Sequence, residues 1–208
     1  VTEALLDRLP RGRVIAVDGS ASMIAAARDR LGERGNVELV HADLMDLDLG
    51  GTRCDAILST ATFHWVPDHP RLFMALRRAM KPGARLVAQC GGFGNIDRVH
   101  AAAADVARRP QFAPWFEGWT GPWNFRDADG MTADLEATGL VDVACRLVPR
   151  DVVPDDPEEW FRTIVLGSHI ERLPEALRDP FVRAVVQVMP APVTVDYVRL
   201  NIAASAPG

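Results

Sequence analysis

Three short apolar runs in this chain end in side chains that can hold a polar ligand. Val14-Ile15-Ala16-Val17 runs into Asp18, Val37-Glu38-Leu39-Val40 into His41-Ala42-Asp43, and Ala56-Ile57-Leu58 into Ser59-Thr60. Short runs rich in Val, Ile and Leu, without a helical period, read as strands buried in a parallel sheet. A carboxylate at the carboxyl end of such a strand is placed to accept hydrogen bonds from both hydroxyls of a ribose. Asp18 is expected in that role, with Gly19 permitting a tight turn and Ser20 capping the helix behind it. Asp43, with the backbone of Leu44, is placed to take an exocyclic amine of a base, and Ser59 to Thr62 line the far end of the ligand. The plainer alternative is that Asp18 and Asp43 only cap the helix or turn next to them. Asp46 and Asp48 read as solvated loop acids.

Those ends must be held by a sheet. Residues 1–9 read as a helix with Leu5, Leu6 and Leu9 on one face, stopped by Pro10. Residues 13–17 form the first strand. Residues 21–31 form a helix with Met23, Ile24, Ala27 and Leu31 inward, closed by Gly32 and Gly35. Strands follow at 37–40 and 55–60. A helix starting near Pro70 carries a stripe of Leu72, Phe73, Leu76 and Met80, and Lys81-Pro82-Gly83 turns into a strand at 84–90. Alternation at this spacing predicts an α/β fold, doubly wound and Rossmann-like, its sheet mostly parallel with helices on both faces.

Beyond Gly91-Gly92-Phe93-Gly94 the character changes. An alanine-rich helix at 96–108 leads into an irregular stretch, 110–126, crowded with Trp115, Phe116, Trp119, Trp123 and Phe125. A helix at 131–138 and an alternating strand at 140–148, nearer the sheet edge, come next. Helices around 158–166, with Trp160, Phe161 and Ile164 inward, and 175–189 precede a last strand at 193–203. The chain is expected to be one domain. Residues 1–94 form its nucleotide-facing half, 95–128 and 149–192 are insertions capping the crevice, and 129–148 and 193–205 return to the sheet. Trp115, Trp119 and Trp123 would make a lid for an apolar or planar substrate, or else a small core sealing the insertion. Arg126, Arg150, Arg162 and His169 are candidates to meet an acidic substrate.

Composition narrows the classes. The chain has 208 residues, 48% of them hydrophobic, enough for one sizeable core. The net charge is −5, with scattered arginines and no basic run, so neither a nucleic-acid groove nor a membrane surface is expected as partner. Cys54, Cys90 and Cys145 are odd in number and far apart, which fits packed thiols of a cytoplasmic protein and not a disulfide framework or a metal site. In doubly wound nucleotide folds a glycine-rich phosphate turn lies about 20 residues before the ribose-binding acid. Asp18 is too near the start for that turn to be present, so an N-terminally truncated fold, lacking its central first strand, is expected.

Four stretches in order carry a resemblance. Residues 15–23, His41-Ala42-Asp43-Leu44, residues 55–68 and residues 80–86 resemble successive motifs of class I S-adenosylmethionine-dependent methyltransferases. The aromatic insertion, Glu171-Arg172-Leu173-Pro174-Glu175 and Asp196-Tyr197-Val198-Arg199-Leu200 resemble the trans-aconitate methyltransferase group in particular. The resemblance covers nearly the whole chain and lacks only the glycine-rich first motif.

It implies S-adenosylmethionine as cofactor, contacted by Asp18, Gly19, Met23, Asp43, Leu44, Ser59 and Thr60. It also implies an antiparallel last strand and methyl transfer to a small molecule, most simply to a carboxylate or hydroxyl oxygen. The methyl is already activated, so positioning dominates. His64 would act as base or as hydrogen-bond donor to the acceptor, or else be a packed or rim histidine, and Trp65 would wall the methyl pocket or else pack in the core against the following helix. A nicotinamide-dependent reductase of the short-chain type needs Tyr and Lys four residues apart, and Tyr197 and Lys81 are the only ones. The remaining alternative is a non-catalytic chain that keeps the fold without the cofactor loop.

Overall fold

The structure is a computed structural model describing residues 1–208. Its elements are α1 (Thr2–Arg8), β1 (Val14–Asp18), α2 (Ala21–Leu31), β2 (Val37–His41), β3 (Cys54–Thr60), α3 (His69–Arg78) and β4 (Met80–Gly91). There follow α4 (Asp97–Ala107), α5 (Ala113–Phe116), α6 (Ala128–Ala137), β5 (Val141–Val152), α7 (Pro157–Trp160), α8 (Gly167–Ile170), α9 (Glu175–Val188) and β6 (Val195–Ser205). Side-chain oxygens start several helices by accepting an otherwise orphaned backbone N–H. Ser20 does so for α2, Asp68 for α3, Asp127 for α6 and Asp156 for α7.

The strands divide between two sheets. β1 pairs in parallel with β2, in register from Val14 opposite Val37 to Asp18 opposite His41. The second sheet has the order β3-β4-β6-β5. β3 and β4 are parallel, whereas β6 runs antiparallel to both its neighbours, so only the last strand opposes the rest. β1 and β3 are thus both edges. β5 is the other edge of its sheet and runs on to Val152, into the stretch assigned to the second insertion.

Two apolar cores result. The first lies under the four-stranded sheet. Leu86, Ala88 and Cys90 of β4 and Leu200, Ile202 and Ala204 of β6 pack there on Leu72, Phe73 and Leu76 of α3 and on Met131 and Leu135 of α6. The second fills a helical layer and unites Val99, Ala103 and Val106 of α4 with Phe161, Phe181, Val182 and Val185, closed by Val195 and Tyr197 of β6. β6 is the strand that supplies both.

Several inward assignments do not hold. Met23, Leu9, Leu58 and Ile164 are 58%, 44%, 45% and 55% exposed. α1 and α2 pack against β1 and β2, so the face of β3 and β4 that carries Leu58 and Val87 lacks a helix over it. Ile164 is displaced by a π-helical turn over Phe161–Val165, in which the Leu166 amide donates to the Phe161 carbonyl at 2.8 Å. The wider turn brings Val165 and Leu166 inward instead. Cys54, Cys90 and Cys145 are free thiols. No helix is long and apolar enough to cross a membrane.

Candidate active site

The nucleotide-facing ends sit at β1 and β2. One carboxylate oxygen of Asp18 accepts from the Ser20 amide at 2.8 Å, which shapes the turn and leaves the other oxygen without a partner in the chain. Asp18 therefore performs the local role and keeps a free acceptor, so the two readings of this residue are compatible. Gly19 has an ordinary negative φ, and a Cβ there would meet only the Ala42 carbonyl at 3.8 Å. The turn itself thus does not demand glycine, contrary to the reason expected from sequence. What the residue provides is open space at the strand end. Met23 lies on the first turn of α2, exposed beside that space and not in the core.

Asp43 is exposed and accepts from the Met45 amide at 2.9 Å, starting a short 3-10 turn over Leu44–Asp46, while Leu44 packs against the first core. Asp46 is an ion-pair partner of Arg71, and Asp48 accepts from the Gly50 amide, as solvated loop acids do.

The end of β3 carries the most constrained chemistry. Ser59 is half-buried and Thr60 exposed at the strand terminus. Ala61 adopts a left-handed φ of 54°, costly for a residue with a Cβ, and its amide donates to the Gln89 carbonyl at 2.7 Å. This reversal lays the 3-10 turn Phe63–Trp65 across the end of β4. His64 is buried there, and its Nδ1 accepts from the Gly91 amide at 3.2 Å. In neutral imidazole the proton then resides on Nε2. Burial, followed by the positive charge of Arg199, pushes the His64 pKa down to about 4. Of the two expected roles, that of base is unfavourable at neutral pH, and donation from Nε2–H is the one the geometry supports. Gly91 is needed for this approach, because a Cβ would meet Phe125 at 2.7 Å and Asn95 at 2.9 Å. Trp65 is 47% exposed, with its ring centre 5.0 Å from that of His64, so it is not a core residue.

The candidate cations separate cleanly. Arg126 is bound to Asp134 at 2.8 Å, and Arg162 to both Glu159 and Asp179. His169 is 5% exposed and held neutral by burial, its pKa pushed down to about 3. These three are therefore not free cations for an acid. Arg150 has no acidic partner, and β-sheet register brings it beside two arginines that the sequence alone did not single out. Arg146, Arg150 and Arg199 line one recess with Gln89 and Asn201, across β4, β6 and β5. Arg199 stacks on Tyr197, its guanidinium 4.2 Å from the ring centre. The signal that could have found them is the period of two along residues 146, 148 and 150, which puts both β5 arginines on one face.

The aromatic insertion packs partly on His64 and Trp65 and partly on the helical layer. Trp123 lies 6.3 Å from Trp65 and 4.4 Å from His100 between ring centres, and Phe125 stacks on His64 at 5.7 Å. Trp119 and Trp123 meet at 5.6 Å. Trp115 is 42% exposed, and its carbonyl serves to hold Arg172.

Comparison with known proteins bears on the family. Residues 1–88 match the family described as a methyltransferase domain. The trans-aconitate 2-methyltransferase of Acidovorax sp. strain JS42 is 30% identical over 202 residues, covering 89% of this chain and 71% of that protein. A malonyl-(acyl-carrier protein) O-methyltransferase of Xylella fastidiosa is 28% identical over 112 residues, 54% of this chain and 38% of that one. Among solved structures, Haemonchus contortus phosphoethanolamine N-methyltransferase 2, bound to phosphomonomethylethanolamine and S-adenosylhomocysteine, superimposes with a TM-score of 0.58 at 16% identity. That match covers 94% of this chain and 44% of that one, and shares the fold. The chain belongs to the class I S-adenosylmethionine-dependent methyltransferases, and S-adenosylmethionine is the cofactor of that class. Within the class it stands near the trans-aconitate methyltransferase group.

Proposed function

We propose that this protein methylates a carboxylate oxygen of a small organic acid. The observation that carries the reading is the trio Arg146, Arg150 and Arg199, without acidic partners and with Arg199 close enough to depress the His64 pKa. The names of the Acidovorax and Xylella relatives, both methyltransferases acting on acids, support it. Asp18, with its free oxygen and the open space at Gly19, would hold the ribose; Met23, Asp43, Leu44, Ser59 and Thr60 would border the rest of the cofactor. Bound S-adenosylmethionine supplies a methyl group already activated on a sulfonium sulfur. The arginines neutralise the acceptor and hold it by charge-assisted hydrogen bonds. His64 donates through Nε2–H to the acceptor and orients it. A carboxylate has no proton to lose, so a neutral His64 suffices. Residues 95–128 and 153–192 form the cap over this acceptor, with Trp65, Trp119 and Trp123 as its aromatic wall. Three free thiols fit a cytoplasmic setting.

The test is calorimetric titration with S-adenosylhomocysteine, followed by transfer of labelled methyl from S-adenosylmethionine to a panel of di- and tricarboxylic acids. Binding and labelling of an acid, with KM raised about tenfold or more in Arg199→Gln, supports the reading. Absence of binding returns the chain to the non-catalytic alternative, and labelling of hydroxyl acceptors alone removes the carboxylate.

A further inference from the structure

Arginines in this chain are held in two ways. Carboxylates fix Arg98 through Asp151 and Asp196, Arg126 through Asp134, and Arg162 through Glu159 and Asp179. A guanidinium held like that directs its N–H edge at its anchor and has little left for a ligand. Arg199 is held differently. It has no carboxylate partner, and its guanidinium lies on the face of Tyr197, 4.2 Å from the ring centre. Stacking engages the plane of the group and leaves the N–H fork at its edge open. Arg172, stacked on Trp119, shows the contrast, because its Nε donates to the Trp115 carbonyl at 2.9 Å.

Tyr197 is itself fixed. It is 6% exposed and closes the second core from β6, and its hydroxyl oxygen accepts from Nε1 of Trp160 in α7 at 3.1 Å. Burial raises the pKa of the phenol, so the ring is neutral and acts on the cation through its electron-rich face, not through a charge. Antiparallel pairing places Arg199 opposite Gly91 of β4, whose amide donates to Nδ1 of His64. On the other flank it places Arg150 opposite Tyr197. An unanchored arginine loses rotamer freedom when a ligand fixes it, and three cations in one recess repel one another. The ring removes part of that cost before a ligand arrives, without neutralising the charge.

We propose that Tyr197 is a positioning residue of the acceptor site: its ring face holds the Arg199 guanidinium with the N–H fork free to take a carboxylate of the acceptor. Naming the ligand as an acceptor carboxylate rests on the function proposed above; the hold of Tyr197 on Arg199 does not.

The experiment uses the whole chain. Tyr197→Phe keeps the ring face and is the reference. Pentafluorophenylalanine incorporated at position 197 keeps the shape and reverses the polarity of that face. Relative to the reference, fluorination is expected to raise KM for methyl transfer to citrate and to succinate about threefold or more, with kcat within about twofold. Imidazole NMR spectra supply a readout that packing alone would not move. The His64 pKa is lowered by burial, then by Arg199 and then by His69, so displacing Arg199 lets His64 titrate at higher pH. That upward shift is expected on fluorination and in Arg199→Gln, and not in the reference. Tyr197→Leu should show both effects more strongly, and where it fails to fold the fluorinated pair decides. Equal KM in the fluorinated chain and the reference, a fall confined to kcat, or an unshifted His64 titration would overturn the proposal. Labelling of neither acid, with the His64 shift intact, removes the carboxylate reading and leaves the hold of Tyr197 on Arg199 standing.

Discussion

The β1–α2–β2 unit and the helical layer hold their residues by opposite means. In residues 1–41 only Leu6, Ile24 and Leu31 are buried, and every residue of β1 is half-exposed. The helical layer gathers 17 buried residues into one cluster, with Phe112, Phe161 and Phe181 almost wholly enclosed. The first unit presents its groups from strand ends whose positions follow from backbone pairing. The second presents side chains fixed by packing. Recognition at the first should therefore tolerate changes in packing, and recognition at the second should not.

The contrast is testable at graded strength. Phe181 packs edge-on against Phe112 at 5.1 Å and stacks on Phe116 at 5.2 Å. Phe181→Ala should cost about 3–5 kcal/mol in urea unfolding, whereas Ile24→Ala should cost about 2 kcal/mol. Equal costs would erase the distinction. Acid should act next. The His64 pKa is about 4 in the folded chain and near 6.5 when exposed, so between these values the unfolded state binds the extra proton. Stability is then full above about pH 6.5 and falls with pH, by about 3 kcal/mol for His64 once pH passes below 4. His169 adds a loss in the same direction reaching lower pH, which urea midpoints of His169→Phe from pH 7 to pH 4 should show as a shallower fall. Asp18→Asn keeps the turn-forming acceptor but removes the charge. It should weaken S-adenosylhomocysteine binding about tenfold or more by calorimetry, with a melting temperature within about 1 °C of the parent. Met23→Ala, at an exposed position on α2, should change stability by less than about 0.5 kcal/mol.

Much of the layout was legible because local signals coincide with it. Ser20 and Gly32 bracket α2 at its observed ends, and β1, β2 and β6 lie within a residue or two of the runs that predict them. Met23 and Leu58 misled because periodicity identifies an apolar stripe without saying what, if anything, covers it. Ile164 misled because a period of 3.6 cannot foresee a π turn. At the site, Asp18 and Asp43 stand at strand ends as expected, since chain order alone puts them there. The arginine recess was hidden because Gln89, Arg146, Arg199 and Asn201 meet through the pairing of β4, β6 and β5, which a single sequence does not display. His100 was passed over as one more residue of an alanine-rich helix, and only the fold shows that its ring lies 4.4 Å from that of Trp123.

β6 has a consequence for how the molecule is made. It inserts between β4 and β5 and closes both apolar cores, yet it follows every other element in the chain. On the ribosome, β4 and β5 emerge with their facing edges unpaired, and Phe181 and Val185 emerge before Val195 and Tyr197 can cover them. Neither half can finish early, so the nascent chain carries exposed strand edges and unburied apolar surface until residues 195–205 appear. Completion of the two halves is thereby made a single event that waits on β6.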